Sequence, residues 1–121
     1  MAKESFLRNR IRSVGVAMRG ALLLIRTEGS IQIQIGIVVL ITIAGFYYEI
    51  SAFEWMMQVF AIGLVLGVEG LNTAIEKLSD YVQPKHDPKI GFIKDISAGA
   101  VMWVSVAASI IGLIIYVPKI F

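Results

Sequence analysis

Glu69, Asn72 and Glu76 lie in the stretch Val68-Glu-Gly-Leu-Asn-Thr-Ala-Ile-Glu76, at spacings of i, i+3 and i+7. On a helix they share one face, with the two carboxylates rotated by only about 20° and separated by roughly 10 Å along the axis. The residues from Trp55 to Val68 carry no charge, so this face sits at the end of a membrane helix. A carboxylate inside a bilayer is costly to maintain, and such groups commonly mark proton or substrate paths. Two on one stripe make this the place where chemistry is expected.

The elements around that stripe follow from composition and charge. The chain has 121 residues, 57% of them hydrophobic, and a mean hydropathy of +0.77, values that belong to membrane proteins rather than to compact soluble domains. It has no cysteine, which removes disulfides, thiolate metal sites and cysteine nucleophiles. The first 26 residues carry Lys3, Arg8, Arg10, Arg12, Arg19 and Arg26 without an uninterrupted apolar core, so no signal peptide is expected.

Three long stretches lack charge: Gly29 to Tyr48, Trp55 to Val68 and Ile96 to Pro118. The first and third, at about 20 and 23 residues, can cross a bilayer as they stand. The middle one, at about 14, reaches spanning length only by continuing through Glu69 to about Ile75. Counted from Trp55 at 1.5 Å per residue, Glu69 then lies roughly 21 Å deep and Glu76 roughly 31 Å, against a hydrocarbon core of about 30 Å. Glu69 is thereby placed just beneath the headgroups and Glu76 at the interface. Basic residues precede the first span, and Lys77, Lys85, Lys89 and Lys94 lie between the second and third, whereas Glu49 to Glu54 has none. This bias places the N-terminus and the 77–94 region in the cytoplasm. Tyr47, Tyr48, Phe53 and Trp55 form an aromatic belt at the other boundary.

Ahead of the first span, Leu7, Ile11, Val14, Met18, Leu22 and Ile25 recur at spacings of three and four, flanked by Arg8, Arg12, Arg19 and Arg26. This pattern predicts an amphipathic helix at the cytoplasmic interface. Its arginines either anchor it to anionic lipid or also meet phosphate. Pro84, Pro88 and Gly91 predict a turn-rich loop over Tyr81 to Phe92, containing the single histidine, His86. His86 is read either as a solvated loop residue or as a nucleotide contact. Asp95 is expected near the N-terminus of the third span with Lys94 beside it, forming an anion site. Gly63 and Gly67 form a GxxxG step suited to close helix contact. Three spans hide little polar surface, so oligomerisation is expected to complete the enclosure of Glu69.

The segments Glu69 to Glu76, Lys94-Asp-Ile-Ser-Ala-Gly-Ala-Val101 and Arg26-Thr-Glu28 closely resemble the prokaryotic diacylglycerol kinase family, which includes undecaprenol kinases. The resemblance spans nearly the whole chain, and Ile31 to Gln58 matches only in hydrophobicity. It implies a single lipid kinase domain over 1–121 and an all-α membrane protein. Each subunit would have an N-terminal surface helix (6–26) and three transmembrane helices (29–48, 55–80 and 95–117), and a homotrimeric bundle would sit in the bacterial cytoplasmic membrane. It further implies that MgATP phosphorylates a lipid alcohol, undecaprenol or diacylglycerol, on the cytoplasmic side.

By the same resemblance Glu69 is the catalytic base, and Asn72 orients the hydroxyl or the transferring phosphoryl group. Glu28 and Glu76 bind magnesium, Lys94 neutralises charge on the β and γ phosphates, and Asp80 and Asp95 position Lys94 or the nucleotide. Depth agrees with this assignment, because a lipid hydroxyl sits just below the headgroups while ATP arrives from water. The tail from Ile110 to Lys119 and the Glu54-Trp55 pair look more like the undecaprenol kinase branch. No G-x-x-x-x-G-K-[ST] segment is present, so an ATP site here is not a P-loop. No nucleic-acid partner is expected. A different class of reading is a small oligomeric proton-coupled exporter in which Glu69 shuttles protons.

Overall fold

A computed structural model describes the backbone of residues 2–121 and the side chains from Ser5 onward; Lys3, counted among the basic residues above, lies outside the described side chains. The fold is all α-helical, with α1 (Ala2–Thr27), α2 (Gly29–Tyr47), α3 (Ala52–Val82) and α4 (Pro88–Ile120). Three of these, α2, α3 and α4, are long and apolar enough to cross a membrane. At 1.5 Å per residue, the 19 residues of α2 extend about 28 Å and just cross the hydrocarbon core. The 31 residues of α3 and 33 of α4 reach about 46 and 50 Å, so both must project roughly 15–20 Å beyond it.

Between α1 and α2 only Glu28 leaves helical geometry, with φ −111° and ψ 117°. The end of α1 is nonetheless satisfied, because the Gln32 side-chain amide donates to the carbonyls of Ile25 (3.1 Å) and Arg26 (3.2 Å). These belong to the last turn, whose carbonyls lack partners within the helix itself. The apolar face of α1 stays uncovered: Leu7, Ile11, Val14, Met18 and Leu22 are all exposed. Leu24 is the α1 side chain that reaches α3, against Gly70, where a Cβ would stand 2.9 Å from its Cδ1.

The turn from α2 into α3 is tight. Glu49 takes a left-handed φ of 51°, and the buried Ile50 donates its N–H back to the Gly45 carbonyl at 3.1 Å. Gly45 must lack a side chain because a Cβ there would stand 2.6 Å from the Trp55 indole. Ser51 and Glu54 then start α3 with a reciprocal capping box, each side chain accepting the other's backbone N–H.

The connection to α4 is shorter than the proline and glycine pattern predicts. Asp87 caps α4 by accepting the N–H groups of Lys89 (2.8 Å) and Ile90 (3.4 Å), and Pro88 occupies the first turn, where its missing N–H costs nothing. Gly91, Lys94 and Asp95 are consequently inside the helix. The placement of Asp95 near the helix N-terminus is therefore corrected: Asp87 holds that position, and the Lys94 backbone N–H is spent within the helix.

Antiparallel α3 and α4 form the main pair and are cross-linked by polar contacts at both ends: Asp80 with Lys94, and Gln58 with Tyr116 followed by Glu54 with Lys119 at 3.0 Å. Asp80 and Gln58 are about 33 Å apart along α3, close to the thickness of the hydrocarbon core. Between them the buried positions include Ala61, Val65, Glu69 and Thr73. The predicted close contact at Gly63 and Gly67 is not made within the chain, since both are exposed with nothing within 4 Å of an added Cβ.

Candidate active site

Glu69 is 8% exposed on the part of α3 that faces α2. The side-chain amide of Gln34 on α2 lies beside its carboxyl. One turn onward, Asn72 donates through Nδ2 to Oε1 of Glu76 at 3.4 Å, which fixes which way the amide points. The Thr73 hydroxyl donates at 3.1 Å to the Glu69 carbonyl, a bond within the helix that leaves the carboxylate untouched.

Among the described residues, Oε2 of Glu69 and Oδ1 of Asn72 are the buried side-chain atoms without a hydrogen-bond partner. Buried polar atoms are ordinarily paired, and an unmet acceptor carries the cost of its lost hydration. Both orphans are acceptors on neighbouring turns of one stripe, so what they lack is a donor. A hydroxyl group supplies one.

Toward the aqueous end the groups change character. Glu76 is exposed, and Glu28, half-buried at the N-cap of α2, pairs with Lys77 at 3.3 Å. Lys77 follows Glu76 in sequence, so this ion pair brings the start of α2 to the end of α3 where Glu76 stands. Lys94 pairs with Asp80 across α3 and α4, with Lys94 about one-third exposed. His86 stands exposed in the 83–87 connection and Asp95 is exposed on α4; neither makes a side-chain hydrogen bond or ion pair among the described residues. The structure therefore gathers Glu69, Asn72 and Glu76 into one string and joins Lys94 to Asp80, while His86 and Asp95 stay apart from both.

Among the described residues no three His, Asp or Glu side chains converge to hold a metal by themselves. Magnesium does not demand that, because it is usually held by one or two carboxylates with waters and substrate phosphates completing the octahedron. Glu76, exposed on α3, and Glu28, half-buried at the N-cap of α2 beside it in the fold through Lys77, are the donor type that such an ion takes.

Two features escaped sequence reasoning. Gln34 was absorbed into an apolar span, although an amide inside such a span was itself the signal. Lys77 stands in the sequence only as one of the basic residues after the second uncharged stretch, and its contact with Glu28 depends on how α2 meets α3.

The prokaryotic diacylglycerol kinase family model matches residues 15–116, a segment containing Glu28, the Glu69 to Glu76 string and the Asp80 and Lys94 pair. The chain belongs to the prokaryotic diacylglycerol kinase family. It is also 41% identical over 95 residues to the undecaprenol kinase of Bacillus subtilis (strain 168), an alignment covering 78% of this chain and 77% of that protein. As a member of this family the chain is a lipid kinase, which accounts for a polar string running from a buried acceptor to an aqueous carboxylate. The family membership does not favour a proton-coupled exporter.

Proposed function

We propose that this chain transfers the γ-phosphoryl group of MgATP to the hydroxyl of a membrane lipid alcohol at the cytoplasmic face, with a polyprenol of the undecaprenol type preferred to diacylglycerol. The observation that carries this reading is the unpartnered Oε2 of Glu69, buried about 10 Å along the helix from an exposed Glu76. A lipid hydroxyl fills that vacancy from the membrane side, and a triphosphate reaches Glu76 from water.

In the transfer, Glu69 accepts the hydroxyl proton as general base. The alcohol oxygen forms a bond to the γ phosphorus, the bond from that phosphorus to the β–γ bridging oxygen breaks, and ADP departs. Asn72, held by Glu76 one turn along from Glu69, positions the transferring phosphoryl group beside that hydroxyl. Glu76 and Glu28 would hold the magnesium ion, which would supply positive charge to the phosphate oxygens. Lys94, steadied by Asp80, carries the remaining countercharge, and Asp95 and His86 line the aqueous approach of the nucleotide. Phosphoryl transfer requires mainly positioning and charge stabilisation, which so small a chain can supply.

The basic bias before α2 and between α3 and α4 supports a cytoplasmic site. Assembly is proposed as a homotrimer, and two observations support self-association. Gly63 and Gly67 offer an unoccupied close-packing face. Only 6% of the most apolar window of α4 is buried within one chain, which leaves surface for neighbouring copies.

The test offers purified protein both undecaprenol and a diacylglycerol in vesicles with γ-labelled ATP and magnesium. Label should enter extracted lipid, with the higher kcat/KM for undecaprenol. No magnesium-dependent labelling of either lipid removes the proposal, and a higher value for diacylglycerol removes its polyprenol part.

A further inference from the structure

Below Glu69 a cavity of about 270 Å³ opens between α2, α3 and α4. Its lining includes Gln34 at the Glu69 end, then Val65, Ala61 and Gly112, and at the far end Gln58 and Tyr116. Glu69 and Gln58 are eleven positions apart, so the cavity runs about 16 Å from the candidate base toward the opposite face. Helices α2 and α4 meet at that far end through Tyr116, which bonds the Ile41 carbonyl at 3.0 Å and packs edge-on against Tyr48.

The floor is closed and chemically spent. Gln58, 3% exposed, donates through Nε2 to the Ile41 carbonyl at 3.2 Å and accepts the Tyr116 hydroxyl at 2.5 Å. The Ser109 hydroxyl donates to Ser105 of its own helix. With these polar groups satisfied, the rest of the wall apart from Gln34 and Ser105 is apolar, and apolar cavities take apolar guests. Gln34, beside the Glu69 carboxyl, and Ser105 are the remaining polar side chains of the lining.

We infer that this cavity seats the hydrocarbon chain next to the reacting hydroxyl, and that it selects lipid alcohols bearing a single chain, the isoprenoid alcohols, over those bearing two. The inference rests on the kinase reading of Glu69. A hydroxyl at Glu69 puts its adjoining chain at the mouth of this one cavity. Its volume falls just below that of ordinary ligand sites, which run about 300–1,000 Å³, so it admits one strand for part of its length. A polyprenol attaches one chain beside its hydroxyl, whereas a diacylglycerol attaches two and must leave the second outside. Ala61, Ala108 and Gly112 leave width for the methyl branches of an isoprenoid strand, and the Gln58–Tyr116 pair sets where the strand must turn out into the bilayer.

The full-length protein in phosphatidylcholine vesicles is assayed with MgATP against farnesol, undecaprenol and a diacylglycerol, before and after Ala108→Leu and Gly112→Leu. Filling the cavity should raise KM for both prenols roughly tenfold or more, as overfilling a packed site does, with nucleotide affinity retained and the preference over diacylglycerol lost. Because the larger side chains could disturb folding, the unsubstituted protein is also photolabelled with farnesol carrying a diazirine on its second isoprene unit. Label on Ala61, Ala108 or Gly112 is expected. Phosphorylation of no alcohol overturns the kinase reading and this one together. Normal phosphorylation with unchanged prenol KM in folded variants, or label confined to outward-facing residues, overturns the cavity assignment alone. The chain lacks cysteine, so ready disulfide cross-linking between copies through Ala108→Cys would show that a second copy fills the space and would likewise overturn it.

Discussion

The membrane helices carry polar groups in two regions, and the two are treated in opposite ways. At the far end, Ser51, Glu54, Lys119, Gln58, Tyr116 and the Ile41 carbonyl satisfy one another through capping, an ion pair and hydrogen bonds. At the other end, Glu69 is buried and Asn72 half-buried, and each keeps one buried oxygen unmet. Polar groups that complete one another hold helices together, and interhelical bonds of this kind are worth about 0.6 kcal/mol on average and up to about 1.7. Groups left incomplete contribute no such bond and stay available to a ligand. Satisfaction of hydrogen bonds, more than polarity or burial, separates the part of this bundle that is scaffold from the part proposed to react.

That contrast breaks most directly at Glu69. Glu69→Gln should lower turnover by about 10²- to 10⁴-fold, the usual worth of a general base, while ATP affinity and thermal stability hold. Labelled-phosphate transfer, nucleotide titration and a melting curve on the same preparation check all three, and near-normal turnover removes Glu69 from the mechanism. Next in size, Glu76→Gln and Glu28→Gln should shift the magnesium requirement upward by roughly tenfold, the scale of one lost carboxylate contact to a cation. An unchanged magnesium titration counts against their assignment.

At the scaffold end the expected losses are in stability. Gly45→Ala forces a methyl group against the Trp55 ring and should cost about 1–3 kcal/mol by overpacking. Gln58→Leu removes its bonds to the Tyr116 hydroxyl and the Ile41 carbonyl and should cost about 1–2 kcal/mol; Tyr116→Phe added to it should cost little more, because the bond between the two is already gone. Additive losses in that double-mutant cycle would show that the two residues do not share a bond. The smallest effect belongs to Lys119→Met, which removes a mostly buried partner of Glu54 at the membrane boundary. It should lower stability by no more than about 1 kcal/mol and leave turnover unchanged, measured by melting temperature and phosphate transfer.

Much of the site could be read from the chain itself. The stripe of Glu69, Asn72 and Glu76 follows from helical periodicity, and its depth follows from counting residues against a bilayer of known thickness. The spans were legible because uncharged runs near 20 residues have few other uses. The start of α4 was misjudged because Pro88 and Gly91 read as breakers, whereas a proline after a capping aspartate begins a helix as readily as it ends one. The pairing of Asp80 with Lys94 joins residues of two helices. It depends on the antiparallel register of α3 and α4, which no local pattern encodes.

Periodicity, charge bias and hydrophobic length, all properties of neighbouring residues, were enough to determine that this protein is a bundle of membrane helices with acidic chemistry at one end. Which buried oxygens remain unmet, where Gln34 meets Glu69, and that Gln58 and Tyr116 close a cavity beneath them were decided only by tertiary structure. Each is a relation between side chains on different helices, and it exists only once packing brings those helices together.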